Sequence, residues 1–285
     1  MDKSTFFKIF IMGKKLSIIT INYNNKVGLQ RTIQSVVSQT WQDFEFIIID
    51  GNSSDGSKDV LNTYSSFFTY SVSEPDSGIY NAMNKGIKIS TGDYLMFLNS
   101  GDSLIDNTIL EKLNAELNGQ YDIYYGDILH IDGIKKEIRT FPKTLNFAFF
   151  YEQNISHQAS FIKAKLFKDI FLYNENFKIV SDWEFFTYAI CKREASYKHL
   201  DCVIVTYDGT GISANSENHP EINKERDASL NRYFPEFVKD YEYLKEIKFK
   251  KAEQFLYIKK YPIAYKILKG FMNIILLFLP KFNRN

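Results

Sequence analysis

Hydrophobic positions along this chain fall into short unbroken runs, separated by stretches where they recur every three or four residues. LSIITINY (16–23) is such a run, rich in β-branched residues, and Leu29, Ile33, Val36 and Val37 follow it at helical spacing. The alternation repeats. FEFIIID (44–50) predicts a strand, 57–65 a short helix, 68–73 a strand, 79–90 a helix, and YLMFLNS (94–100) another strand. Asp106 is placed to cap a further helix whose inner stripe is Leu110, Leu113 and Leu117. Unbroken apolar strands belong in a sheet covered on both faces. Four strand-to-helix steps within the first 118 residues therefore predict an α/β fold with a mostly parallel, doubly wound sheet.

In such sheets a ligand sits beyond the carboxyl ends of the strands. Polar clusters stand at three of those ends, at 22–25, 50–57 and 99–102, and this convergence is the first pointer to a site. From 121 onward the pattern changes to strands without regular helical returns, YDIYYGDILHI, KKEIRTF and SHQASFI, which predicts an antiparallel extension of the sheet. Ser181 and Glu184 have the spacing of a capping box, opening a helix through Trp183, Phe186 and Ile190. SYKHLDCVIVTYD (196–208) is the last predicted strand. One domain is expected over 1–215 and a helical tail over 216–285.

Composition changes this picture in two places. With 35 basic and 34 acidic residues in 285, nothing global argues for nucleic acid as a partner. The balance is uneven, however: residues 245–285 hold ten Lys or Arg against two Glu, a net of +8 that leaves −7 for 1–244. Between Pro262 and Pro280 lies IAYKILKGFMNIILLFL, apolar but carrying Lys266 and Lys269, too short and too charged to span a bilayer. With Lys250, Lys251, Lys259, Lys260 and Lys281 around it, the segment suits an anionic membrane surface, or else a helix packed on the main domain. Cys191 and Cys202 form no disulfide framework or metal-ligand spacing, which fits a reducing, cytoplasmic setting. The N-terminal Phe6, Phe7, Ile9, Phe10 and Ile11 are interrupted by Lys8 and followed by Lys14 and Lys15, a poor signal peptide.

SEPDSGIYNAMNKGIKISTGDYLMFLNSGD (73–102) is the most distinctive string, flanked in order by TINYNN, IIIDGNSSDGS, SHQASF, SDWEFF and GTGIS. Together, over roughly residues 15–215, these resemble glycosyltransferase family 2, in its bacterial branch that builds surface polysaccharides. The resemblance implies the GT-A fold, Rossmann-like, with the first β/α half binding a nucleotide. It further implies inverting transfer of a sugar from a nucleotide-diphosphate sugar, expected to be UDP-linked, to a glycan or lipid-linked acceptor at the inner face of the cell membrane.

Residue by residue, the resemblance places Asn22, Asp50, Asp76, Lys85, Asn99 and His157 at the donor, Gly211, Ile212 and Ser213 in a turn closing the donor side, and Asp182 as the general base. A carboxylate such as Asp50 suits a base or ribose because it accepts two hydrogen bonds. The metal motif is thinned: Asn99, Ser100 and Gly101 leave Asp102 as its one carboxylate, expected to hold Mn2+ or Mg2+ with the diphosphate completing the shell. Read from local chemistry alone, Asp182 is also a favoured first-turn residue of a helix, and Lys85 a solvated helix-face lysine. Asn81 stands where relatives more often have Asp. These missing carboxylates leave open a catalytically silent member that binds a nucleotide sugar or glycan. A nucleotidyltransferase is disfavoured by the lack of a Gly-rich phosphate loop near the N-terminus.

Overall fold

The first apolar run forms β1 (Leu16–Asn22), every residue of which is buried. Asn25 ends the following turn and starts α1 (Lys26–Val37), its side-chain oxygen accepting the N–H of Gly28 at 3.0 Å. The computed structural model describes residues 15–211, 215–247 and 250–279; the N-terminal apolar run, Ile212 and Ser213 of the GTGIS string, and Pro280 and Lys281 of the tail lie outside them. The alternation continues through β2 (Phe44–Asp50), α2 (Ser57–Thr63), β3 (Tyr70–Ser73), α3 (Ile79–Ile89) and β4 (Tyr94–Phe97). β1 pairs parallel with β2 and β4, and β2 with β3, in a register that sets Asn22 beside Asp50 and Asp50 beside Ser73. The segment after β4 continues beside β1, Ser100 N–H donating to the Ile21 carbonyl at 3.1 Å, so the polar ends after β1, β2 and β4 meet on one edge, as expected.

The second half comprises β5 (Ser103–Leu104), α4 (Ile109–Asn114), β6 (Ile123–Asp132), β7 (Lys135–Arg139), α5 (Phe147–Glu152), β8 (Ser160–Lys163), α6 (Ala164–Asp169), α7 (Ser181–Cys191) and β9 (Tyr197–Asp208). The strands make one sheet in the order β3-β2-β1-β4-β8-β6-β9-β5, with β7 on the outer part of β6. β8 runs antiparallel between β4 and β6, so the extension is there, but β6 and β9 pair parallel and two short helices interrupt the region. The register shifts between Gly126 and Asp127, where a β-carbon on Gly126 would lie 2.6 Å from Ile204 Cδ1. This bulge bends β6, so that its first part pairs with β8 and its last part with β7.

Both faces are covered. Leu29, Ile33 and Val36 of α1 pack with Ile18, Ile48 and Met96 on one side. On the other, α3 approaches β1 so closely that a β-carbon on Gly86 would sit 2.5 Å from Ile19 Cγ2. Phe97, Phe167, Tyr173 and Phe185 form a ring cluster, with Phe167 and Phe185 stacked at 4.3 Å, that seats α7 under the end of β4. Each such ring contributes about 1.5–3 kcal/mol when fully buried, and here the same burial fixes the helix carrying Asp182.

Two predicted caps form differently. The capping box of Ser181 and Glu184 is not made: Val180 is the N-cap of α7 with no side-chain cap bond, and Ser181 Oγ accepts the N–H of Asn174. A distant residue serves instead, because Glu225 takes the N–H groups of Lys178, Ile179 and Val180. Asp106 bonds the N–H and hydroxyl of Thr108, the N-cap of α4, and the Lys112 ammonium, rather than the backbone N–H groups of the helix; Leu110, Leu113 and Leu117 are buried as expected.

After β9 come α8 (His219–Tyr233), α9 (Pro235–Ile247), α10 (Lys250–Lys259) and α11 (Pro262–Leu276). The chain divides into compact units at Met1–Ser229 and Leu230–Asn285, so the first unit runs past the expected boundary at 215 because the first turns of α8, through Glu225 and Arg226, are bonded to the α5 and α7 segments. Within the second unit α10 and α11 are neighbours, with Phe255 and Tyr265 rings 5.8 Å apart, and no residue of α11 is buried. Among the described residues no helix is long and apolar enough to cross a membrane.

Candidate active site

A cleft of about 1760 Å³ opens over the strand ends, walled by the loops after β1, β2 and β4, the start of α3, the β6–β7 hairpin and the start of α7. Asn22, Asp76, Asn99, Asp102, His157 and Asp182 all line it. Asp50 and Lys85 do not. The Asp50 carboxylate is fully buried and takes four hydrogen bonds, from Asn22 Nδ2 (2.7 Å), Ser53 Oγ (2.6 Å), Ser53 N (3.0 Å) and Ser73 Oγ (2.5 Å). Burial raises its proton affinity, but these donors outweigh it and hold the carboxyl below its ordinary range. Asp50 therefore fixes the ends of β1, β2 and β3 from behind, and Asn22 is the group it presents to the cleft. The Asn22 Oδ1 is buried without a partner, as is Asn99 Oδ1, and both are acceptors available to a ligand.

Gly51 gives Asp76 its place: a β-carbon there would lie 2.7 Å from Asp76 Oδ2. Asp76 in turn accepts the N–H of Gly78 at 3.0 Å, ahead of α3. Lys85 faces elsewhere, its ammonium 2.7 Å from Glu74 and 2.9 Å from the Pro75 carbonyl, so the donor contact expected of it has no support in its position. Asn81 bonds Glu175, which also holds Asn84.

Asp182 lies at the centre of a buried relay. Its Oδ1 accepts the Tyr80 hydroxyl at 3.0 Å, and its Oδ2 accepts Asn154 Nδ2 at 3.3 Å and faces His157 Nδ1 at 2.9 Å. His157 Nε2 lies 3.2 Å from Asn99 Nδ2, which ties the relay to the end of β4. Burial alone would raise the Asp182 carboxyl; the bonds from His157 and Tyr80 reverse this and hold it below its ordinary value, so it stays ionised. Tyr80 is pushed the other way by burial and by the Asp182 charge, and keeps its proton. A carboxylate offers about four lone-pair positions. The protein takes up most of them, the Trp183 N–H also bonding this carboxylate, and Asp182 lines the cleft.

Asp102 is buried, with Oδ1 accepting the Asp208 N–H at 2.9 Å. Desolvation, with the nearby Asp208 charge adding to it against the bonds from Asp208 N–H and Gln158, raises its pKa to about 7. The turn before it needs Gly101, whose φ of 111° is a left-handed conformation that a side chain resists. Among the described residues no group of three His, Cys, Asp or Glu gathers to hold a metal ion on protein ligands alone. The residues do fit a hard cation shared with a ligand, because a buried carboxylate so raised is relieved by a cation, and the remaining positions suit diphosphate oxygens and water.

Tyr80, Asn154, Asp208 and Arg226 were not singled out from the sequence, although all four line the cleft. Tyr80 sits inside the most distinctive string, SGIYNAMNKG, but nothing in its spacing marks a hydroxyl aimed at a residue 102 positions on.

Residues 17–175 match the model of glycosyl transferase family 2. An uncharacterized glycosyltransferase of Mycobacterium tuberculosis is 33% identical over 208 residues, covering 71% of this chain and 78% of that protein. Among solved structures, S. aureus TarS 1-349 in complex with UDP aligns with a TM-score of 0.57 at 19% identity, over 68% of this chain and 60% of that one. The mannosyltransferase PcManGT of Pyrobaculum calidifontis, in complex with GDP-Man and Mn2+, aligns over 89% of this chain and 86% of its own at TM-score 0.52 and 12% identity. Likeness at such identities establishes the fold, which is GT-A.

Proposed function

The chain belongs to glycosyl transferase family 2 and is a glycosyltransferase; from that premise we propose that it moves a hexose from a nucleotide-diphosphate sugar, UDP-linked, to a glycan or lipid-linked acceptor with inversion. The observation that carries this reading is Asp182: an ionised, buried carboxylate lining the cleft, its orientation fixed by Tyr80, Asn154 and His157. In the step proposed, the acceptor hydroxyl gives its proton to Asp182, its oxygen bonds to the anomeric carbon, and the bond to the leaving diphosphate breaks on the opposite face. Asn22 and Asn99 offer their unpartnered carbonyl oxygens to hydroxyl or N–H donors of the nucleoside, Asp50 acts behind Asn22 as its support, and Asp76 closes the same wall. Asp102 would hold Mn2+ or Mg2+, which when bound neutralises charge on the leaving diphosphate.

The uridine assignment draws support from the UDP bound in TarS, and the metal from the Mn2+ in the mannosyltransferase. A lipid-linked acceptor at the cytoplasmic membrane face is supported by α11, where Ile263, Ile267, Phe271 and Ile274 are exposed beside Lys266 and Lys269. The testing experiment is Asp182→Asn, assayed for sugar transfer and, separately, for UDP affinity. Turnover is expected to fall by about 10²- to 10⁴-fold with UDP affinity unchanged; near-normal turnover would remove Asp182 as the base.

A further inference from the structure

The relay that ends on Asp182 has a direction. An ionised carboxylate only accepts hydrogen bonds, so His157 Nδ1, 2.9 Å from Asp182 Oδ2, carries a proton. Burial pulls the Asp182 carboxyl up, and the His157 bond leads those that hold it below its ordinary value. With the proton on Nδ1, Nε2 presents its lone pair, and the group it meets at 3.2 Å is the donor Asn99 Nδ2. This orients the Asn99 carboxamide, nitrogen to the ring and Oδ1 turned from it. That oxygen is buried without a partner among the described residues. Asn99, His157 and Asp182 all line the cleft.

Turning that one amide over would reverse the relay. If Asn99 Oδ1 faced Nε2 it would draw the ring proton there, and Nδ1 would set a lone pair against the carboxylate. Asp182 would relieve the clash by taking up a proton, which leaves no base. The other groups facing Asp182 do not make good the loss. The Tyr80 hydroxyl of α3 is on Oδ1, Asn154 reaches Oδ2 only at 3.3 Å, and the Trp183 N–H belongs to the base's own helix. Tyr173, ahead of α7, feels the Asp182 charge, but its hydroxyl makes no hydrogen bond, and Asp102 interacts with His157 through space. With the His157 and Asp182 side chains 15% and 11% exposed, water is a poor substitute for a lost bond.

We propose that His157 is a positioning residue held in its Nδ1–H tautomer by Asn99, and that this one amide joins the two halves of the site: its nitrogen keeps Asp182 a base while its oxygen reads a hydrogen-bond donor on the nucleotide sugar. The link to catalysis rests on Asp182 being the base; the tautomer does not. The full chain, labelled with 15N-histidine, is observed by long-range 1H–15N correlation at pH 8, with and without UDP and Mg2+, the His157 signals being those lost in His157→Gln. A proton on Nδ1 and none on Nε2 is expected in both, and a ring protonated at Nε2 overturns the proposal. Asn99→Asp offers Nε2 only acceptors and is expected to put a proton there; an unchanged ring in that variant also overturns it. Activity separates positioning from packing. UDP release from a mixture of UDP-glucose, UDP-galactose and UDP-N-acetylglucosamine is followed from pH 5 to 9, water standing in for the acceptor. His157→Asn keeps a donor at the Nδ1 position, and His157→Gln keeps one at Nε2 instead. Losing the Nδ1 bond raises the pKa of the base, so the acid limb of kcat is expected at least one pH unit higher for His157→Gln than for His157→Asn. Coincident limbs, or a ten-fold loss of UDP affinity in His157→Gln, overturn the proposal, the second making His157 a donor ligand. If Asp182→Asn releases UDP at the normal rate, the base reading fails, and the spectra decide the tautomer alone.

Discussion

Asp102→Asn is expected to stabilise the metal-free protein while abolishing its response to metal and nucleotide. The reason is the charge. An ordinary aspartate titrates at 3.8, whereas burial moves Asp102 to about 7. Below the unfolded value both states are protonated and no penalty exists. As pH rises from about 4 to about 7 the unfolded chain ionises freely and the folded one does not, so stability is lost across that window and levels off above it. A displacement of about three pH units corresponds to about 4 kcal/mol at most, equivalent to several degrees in melting temperature. Asparagine has the same shape and its Oδ1 still accepts the Asp208 N–H, so the variant keeps the bond and sheds the charge. The assay is thermal or urea unfolding of both proteins in chelator between pH 4 and 8, then at pH 8 with Mn2+ and UDP. The variant should gain on the wild type as pH rises, and only the wild type should be stabilised by Mn2+ with UDP. A gap that does not change with pH, or a wild type more stable than the variant at pH 8 in chelator, would refute the reasoning.

Two further outcomes follow from placement. Lys85→Ala removes a partly exposed ion pair with Glu74 and should cost under about 1 kcal/mol, with UDP affinity unchanged in a binding titration. Deleting residues beyond 244 removes ten Lys or Arg and the exposed face of α11, and should abolish co-sedimentation with phosphatidylserine-containing vesicles while leaving the melting of the first unit in place.

How much of this was legible beforehand depended on distance along the chain. β1, β2 and β4 were readable because strands buried on both faces are apolar without interruption, and their polar ends mark the site by position alone. The parallel pairing of β6 with β9 was not, since Ile123 meets Tyr197 across an intervening hairpin, strand and three helices, and a strand does not name its partner. The capping box at Ser181 and Glu184 had the right spacing, yet the carboxylate of Glu225, more than forty residues on, took the N–H groups just ahead of the helix. Asp50 and Lys85 illustrate the limit of motif reading: type and order put them at the donor, but one carboxylate is filled by Asn22, Ser53 and Ser73 and one ammonium by Glu74. The relay from Asn99 through His157 to Asp182 and Tyr80 draws on four separate segments, and only packing brings them together.

The place of β4 in the sheet has an evolutionary corollary. It is hydrogen-bonded to β1 on one edge and β8 on the other, so the half built on β1 to β3 and the half carrying Asp182 share a strand and do not part as modules. Gene fusion or domain shuffling would tear the sheet between them. Diversification of donors and acceptors in such a scaffold must proceed by point changes and loop insertions at the strand ends and in the β6–β7 hairpin, with the central strands inherited as a block.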